Sequence, residues 1–300
     1  MSRAAERLAA IDVGSNTVLL TVADYDGRAG LTVVEEGEDQ PRLAAGLSGS
    51  GRLSEAAMER AVVSLTRMRD ACHTLGVQRL SAVATAAVRE AVNGSQFVER
   101  VRALEIPLRI ISPEHEAALS YRSALYRFPG SGRTLVADIG GGSLELVGAL
   151  NGGVGLSLSL PLGAVRLTEL QLSPGELQDH VGRTLAAAVP AADWRGSRMI
   201  GSGGTFATLA SMALAARGGS PPVHGTIVTG GEIMRLSESL DRMSPEARRQ
   251  TPGLRPERAD IIVAGLTVVA ELLKQVGAPD VTVSGFGLRD GVLLEMAAVE

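Results

Sequence analysis

Residues 134–160 read TLVADIGGGSLELVGALNGGVGLSLSL. An apolar run from Thr134 to Ile139 carries Asp138 near its end and stops at Gly140-Gly141-Gly142-Ser143. A second run spans Leu144 to Leu150, a turn follows at Asn151-Gly152-Gly153, and a third run covers Val154 to Leu160. Short apolar runs bounded by glycine and asparagine turns are strands of a meander, and glycine lets the chain reverse tightly between them. The same order stands near the start. Leu8 to Val13 carries Asp12 and stops at Gly14-Ser15-Asn16; Thr17 to Ala23 follows, then the turn Asp26-Gly27, then Leu31 to Val34. A unit that recurs at half-chain distance predicts two similar domains facing each other.

Working outward, helices and further strands fill the space after each copy. Met58, Val62, Leu65, Met68, Cys72 and Leu75 mark a helical stripe with Ser54 as its N-cap. Leu80 to Thr85 and Leu108 to Ile111 are strand-like, Ser95 precedes a helix, and Pro113 opens another reaching about Arg127. In the second half, Gly175 to Val189 and Phe206 to Arg217 are helical, and Glu257 to Val276 is expected to be the longest helix. Val281 to Ser284 is a strand, Gly285-Phe286-Gly287 a turn, and Arg289 to Val299 a final helix. Strands alternating with helices make the class α/β. Phe128-Pro129-Gly130-Ser131-Gly132 interrupts the pattern between Tyr126 and Arg133. The expected domains are therefore 1–127 and 128–300, with the C-terminal helix 289–300 packing back on the first.

Composition narrows the function. Aromatic residues are only 3% of a chain that is 45% hydrophobic, so the core is aliphatic. A formal net charge of -4 argues against a nucleic-acid binder. Lys274 is the only lysine and lies near no glycine-rich turn, which excludes a Walker-type phosphate loop. Cys72 is alone, so neither a disulfide framework nor a zinc pattern exists. His73, His115, His180 and His224 show no ligand spacing, and Trp194 reads as a loop anchor. With no membrane-length apolar run and no signal-peptide core, a cytoplasmic location is expected.

A phosphate group needs backbone N–H donors converging on its oxygens, and glycine allows that close approach. Three segments qualify: Gly14-Ser15-Asn16, Gly140-Gly141-Gly142-Ser143, and Gly201-Ser202-Gly203-Gly204-Thr205. Each alone also reads as a mere turn. Two of them follow Asp on matching strands and the third opens a helix, which adds a helix N-terminus; jointly they favour phosphate. Asp12 and Asp138 would repel phosphate unless a cation such as Mg²⁺ bridges them; the competing reading is that each caps its own turn.

The segments Asp12-Val-Gly-Ser-Asn-Thr, Ala84-Thr-Ala-Ala-Val-Arg-Glu-Ala, Asp138-Ile-Gly-Gly-Gly-Ser-Leu-Glu and Gly201-Ser-Gly-Gly-Thr resemble motifs of the exopolyphosphatase/guanosine pentaphosphate phosphatase (Ppx/GppA) family. Leu162-Gly-Ala-Val-Arg-Leu-Thr-Glu, Glu257-Arg-Ala-Asp-Ile-Ile and Gly285-Phe-Gly-Leu-Arg-Asp-Gly-Val-Leu are similar to its later motifs, in family order. The resemblance implies two ribonuclease-H-like domains of the actin/hexokinase/Hsp70 type, with the active site in a cleft between them. It implies Glu116 as the catalytic glutamate and Glu145 as a second acid near the metal or water, with Asp138 and Asp12 on a divalent cation. It implies phosphate contacts from Arg89, from Gly14, Ser15 and Asn16, from Gly140, Gly141, Gly142 and Ser143, and from Gly203, Gly204 and Thr205. Pattern alone makes Glu114 and Glu116 helix-start acids, and the resemblance separates them by assigning catalysis to Glu116. Arg166, Arg258 and Arg289 are weaker candidates, and Arg258 reads equally as a surface partner of Asp260.

The implied substrate is inorganic polyphosphate, with guanosine pentaphosphate as the alternative, and the implied assembly is a homodimer. A chain ending at Glu300 resembles short members, which suggests a preference for short polyphosphate. Leu19 stands where relatives often carry Arg or His, His115 replaces a frequent acid, and Leu144 a frequent Thr. A kinase of the same superfamily and a non-catalytic polyphosphate or alarmone sensor are the other readings.

Overall fold

The computed structural model describes residues 5–27 and 30–298. It forms two compact units, Met1–Ser123 with Leu288–Glu300, and Ala124–Gly287.

The first unit begins with β1 (Glu6–Val13), β2 (Val18–Asp26) and β3 (Gly30–Asp39), an antiparallel meander. The short α1 (Leu47–Ser50) and the 20-residue α2 (Glu55–Thr74) follow. Ser54 caps α2 by accepting from the Ala57 N–H, as its sequence predicts. Met58, Ala61, Leu65, Met68 and Cys72 are buried along one stripe of it. Next come β4 (Arg79–Ala84), α3 (Ala86–Glu90), α4 (Gly94–Arg102), β5 (Leu108–Ile110) and α5 (Pro113–Arg127). The sheet order is β3-β2-β1-β4-β5, with β4 parallel to β1 and β5 parallel to β4.

Both faces of this sheet are covered. Ile11, Val13 and Leu20 face the α2 and α4 side with Leu65 and Phe97. Leu8, Ala10 and Val83 pack with Leu119 of α5 and with Val292 and Leu293. The latter two lie on the C-terminal helix Leu288–Ala298, so the last segment completes the first unit's core. Val299, expected as the end of that helix, is outside the described residues. Gly291 makes the packing possible, because a Cβ there would sit 2.2 Å from the Leu119 carbonyl oxygen. Gly291→Ala is expected to cost about 1–3 kcal/mol by overpacking against backbone, read as a lower melting temperature.

The second unit repeats the plan. It runs β6 (Arg133–Ile139), β7 (Leu144–Leu150), β8 (Gly153–Leu160), α6 (Ala164–Glu169), α7 (Pro174–Ala188) and α8 (Ala191–Trp194). It continues with β9 (Arg198–Ser202), α9 (Gly203–Ala216), β10 (Ile227–Thr229), α10 (Gly230–Asp241), α11 (Pro245–Arg248), α12 (Ile262–Val276) and β11 (Asp280–Val283). Its sheet, β10-β11-β9-β6-β7-β8, has the same meander beside parallel strands.

Two sequence expectations need correction. The stretch 257–276 is not one helix: Pro256–Arg258 is a 3-10 turn, the chain bends through Ala259–Ile261, and α12 holds 15 residues, so α2 is longer. The break lets Arg258 bury itself, at 8% exposure, instead of extending a helix outward. Trp194 is a core residue, 7% exposed. Its ring lies on β7, where a Cβ at Gly148 would sit within 2.7 Å of it.

Acid titration reports on this unit. The Glu232 carboxylate accepts from the Thr229 N–H and hydroxyl in a capping box and pairs with Arg217. Burial alone would raise its pKa, but these bonds pull it from 4.5 down to about 2. A depressed folded-state pKa gives stability that is present above the ordinary value and lost as pH falls through the folded one. Glu232→Gln is expected to flatten the loss of thermal stability between pH 4.5 and about 2.

Candidate functional site

In each unit the candidate residues sit at the carboxyl ends of the parallel strands, where open α/β sheets bind ligands. In the first unit β1 leads into Gly14, β4 into α3, and β5 into α5. The Gly14–Thr17 turn closes by a Gly14 N–H to Thr17 O bond of 3.0 Å. Its carbonyls are held from behind: Ser15 O accepts from the Ala44 N–H and Asn16 O from the Arg42 N–H. A trans peptide points its N–H opposite its C=O, so the N–H groups of Asn16 and Thr17 face away from that support. The Asn16 side chain is 5% exposed, and its Nδ2 has no hydrogen-bond partner among the described residues. A buried donor of this kind suits an anion.

Glu116 lies in the first turn of α5, 7% exposed, with its N–H bonded to Ser112 O. Arg89, from α3, donates to its Oε2 at 3.0 Å and to Ile111 O at 2.9 Å. The guanidinium thus ties the end of β5 to the glutamate and fixes the carboxylate's direction. Glu114, the neighbouring acid, is exposed. Its carboxyl is held below the ordinary range by its own backbone N–H and then by the Ser112 hydroxyl, as befits a helix-start acid.

The second unit builds its cradle the same way. Gly140 N–H donates to Ser143 O at 3.1 Å, the counterpart of the Gly14–Thr17 bond. Gly140 O accepts from the Ala164 N–H, Gly141 O from the Val165 and Arg166 N–H groups, and Gly142 O from Arg166 Nε. With three successive carbonyls committed to α6, the N–H groups of Gly141, Gly142 and Ser143 turn to the other side together. Gly163 permits this docking, because a Cβ there would lie 2.2 Å from the Gly142 carbonyl carbon. Arg166 therefore shapes the loop from behind.

Asp138 and Glu145 are direct partners across β6 and β7, so both side chains project from one face. Ser202 Oγ donates to Asp138 Oδ2 at 2.9 Å, and Ser159 Oγ donates to Glu145 Oε1 at 2.8 Å. In the first unit the matching partners are Asp12 and Leu19. The departure at position 19 thus falls where the second unit has its second carboxylate.

The third loop opens α9. Ser202 is its N-cap residue but makes no side-chain cap, since its hydroxyl goes to Asp138. The first N–H groups of a helix have no partner inside it, which leaves those of Gly203, Gly204 and Thr205 as helix-end donors. The Thr205 side chain is 2% exposed and packs against Gly265 of α12. Gly203 has φ +85 and lies on Asp138. Gly204 lies on the Arg258 guanidinium, which a Cβ would meet at 2.2 Å. Arg258 is buried beside a candidate phosphate loop, not on the surface. No local signal marks this, since Pro256 at a first position would open a longer helix as readily as the 3-10 turn it does open. Arg289 donates to Leu20 O and pairs with Glu36, a tie between the last helix and β2 and β3.

Among the described residues no group of three or more His, Cys, Asp or Glu side chains forms a metal centre. The Asp138–Glu145 pair suits a different kind of site. Mg²⁺ takes one or two carboxylates and fills its octahedron with water and phosphate oxygens.

The model of the Ppx/GppA phosphatase family matches residues 21–300. Exopolyphosphatase 1 of Mycobacterium leprae is 30% identical over 96% of this chain and 88% of its own. The guanosine-5'-triphosphate,3'-diphosphate pyrophosphatase of Aeromonas salmonicida is 32% identical over 95% of this chain and 58% of its own. The crystal structure of the Aquifex aeolicus Ppx/GppA family member superposes with a TM-score of 0.82 at 29% identity, covering 98% of both chains. Such neighbours have the two-domain fold of the actin-like ATPase superfamily, as the sequence resemblance implies.

Proposed function

The chain belongs to the Ppx/GppA phosphatase family, and from that premise we propose that it hydrolyses the terminal phosphoanhydride bond of inorganic polyphosphate, releasing orthophosphate. The observation that carries the proposal is the Gly140–Ser143 turn, three N–H groups facing one way beside the Asp138–Glu145 pair. Glu116 accepts the proton of the attacking water. Arg89 orients Glu116 and offers charge to the phosphoryl oxygens as charge spreads over them. The Gly14–Asn16 and Gly203–Thr205 backbones, with Arg258, bind the neighbouring phosphates. Asp138 and Glu145 would hold Mg²⁺, which would neutralise phosphate charge when bound; Asp12, facing Leu19, would be the weaker ligand.

Leu19 favours polyphosphate over guanosine pentaphosphate, since a nucleotide calls for polar contacts beside the first loop. Within the same proposal the protein is a cytoplasmic homodimer that prefers short chains. A reducing compartment suits Cys72, buried with its thiol pKa pushed up to about 11 and so unreactive. No helix among the described residues is long and apolar enough to cross a membrane.

The test is orthophosphate release from short polyphosphate, long polyphosphate and guanosine pentaphosphate, with Mg²⁺ and after chelation. Release from short polyphosphate should dominate and vanish with the metal. Phosphate transfer from labelled ATP to an acceptor without polyphosphate hydrolysis would replace the reading by a kinase. Tight binding without release would replace it by a sensor.

A further inference from the structure

Arg89 and Glu116 are both seated on one short loop. Arg89 donates to Ile111 O, and the Glu116 N–H donates to Ser112 O. The loop joins Ile110, the last residue of β5, to Pro113, the first of α5. The first N–H groups of a helix have no partner inside it, and helix ends fray. Whatever holds this loop closed therefore decides how steadily the Arg89–Glu116 pair is aimed.

A side chain from the far end of the sequence spans it. Glu295, on the C-terminal helix, accepts from Arg109 Nη2 through Oε2 at 2.6 Å and meets His115 Nε2 through Oε1 at 2.6 Å. Arg109 lies on β5 before the loop, and His115 lies on α5 after it. Arg109 Nη1 stands 3.5 Å from His115 Nδ1. The tautomer that satisfies all three contacts carries its hydrogen on Nε2, donates to Glu295 and accepts from Arg109. Burial alone would raise the Glu295 carboxyl, but His115 and then Arg109 hold it below the ordinary range, so it is ionised at neutral pH. Glu295 stands on a fixed base: Val292 and Leu293 of its helix are fully buried, and Arg79 donates to Met296 O at 2.9 Å.

We propose that Glu295 is a positioning residue for the Arg89–Glu116 pair, clasping β5 to the first turn of α5 through Arg109 and His115. The proposal rests on the reading of Glu116 as the base. It also accounts for the departure at position 115. The acid frequent there in relatives would set a carboxylate against Glu295, whereas an imidazole donates to it. His115 and Glu295 are thus matched in this chain. Glu295 acts through its partners and not on the phosphate. All three side chains are partly exposed, so the clasp adds little to global stability. Its effect is on where Glu116 points.

Two measurements on the full chain test it. Amide hydrogen exchange across residues 109–117, without substrate, should quicken about tenfold in Glu295→Ala. Orthophosphate release from tripolyphosphate by the same variant should show kcat about tenfold lower with KM unchanged. The melting temperature should move by no more than about 3 °C. His115→Gln, whose amide keeps a donor near the place of Nε2, should match wild type in both readouts, and His115→Leu should match Glu295→Ala. Exchange in Glu295→Ala equal to wild type would overturn the proposal, as would faster exchange with an intact kcat, or His115→Gln no better than His115→Leu. A kcat loss accompanied by a larger drop in melting temperature would mark a merely structural tie and overturn it too. The exchange needs no turnover, so a chain that released no orthophosphate would refute the activity while exchange still decided the clasp.

Discussion

Glu116→Gln is expected to lower kcat for orthophosphate release at least about 100-fold, the loss typical of a general base and worth about 2.7 kcal/mol at the barrier. Glutamine keeps the volume and an acceptor oxygen, so the first turn of α5 should persist. It cannot take the water's proton, and its amide no longer gives Arg89 an ionised partner at 3.0 Å. Polyphosphate binding should survive, because the backbone donors are untouched, so KM should change far less than kcat. Glu114→Gln is the control: that side chain is an exposed helix-start acid, and turnover should be unchanged. Turnover by the Glu116 variant within about threefold of wild type would remove the assignment.

Gly203→Ala is expected to reduce turnover by about 100-fold, the scale of a misplacement of roughly 1 Å at a reacting centre. Two effects add. At φ +85 an L side chain is strained, by about 1–2 kcal/mol. The new Cβ would also lie 2.4 Å from Asp138 Oδ1 and 2.9 Å from Ile139 O. Ile139 O belongs to the backbone that enters the Gly140 loop, so it cannot yield without moving the cradle and Asp138 together. The variant should need more Mg²⁺ for half-maximal rate and should melt earlier. Gly204→Ala offers a graded comparison, since its Cβ meets the Arg258 guanidinium, a side chain that can swing aside. Wild-type activity and Mg²⁺ response in Gly203→Ala would show that Asp138 and this loop take no part.

Much of the candidate site was legible because its elements are local. The two aspartates, the glycine turns and Glu116 in the first turn of α5 follow from short patterns and motif order. Glu114 and Glu116 were not separable by pattern, since both look like acids at a helix start. Burial and Arg89 distinguish them in the structure: Glu116 is 7% exposed and paired, while Glu114 caps in solvent. Arg258 was misread because its pattern continues a helix, and only the bend at Ala259–Ile261 turns it onto Gly204.

By itself the sequence determined the duplicated meander, the α/β class and the order of the glycine loops, because hydrophobic period and glycine placement act over a few residues, and its motif order resembles the family that the comparisons show. Tertiary structure alone decided which partners those residues meet. It set Glu145 opposite Asp138 but Leu19 opposite Asp12, committed the Gly140–Gly142 carbonyls to α6, and seated Glu295 between His115 and Arg109. The physical reason is that register, peptide orientation and long-range side-chain pairing are properties of segments brought together from afar, and no local propensity encodes them.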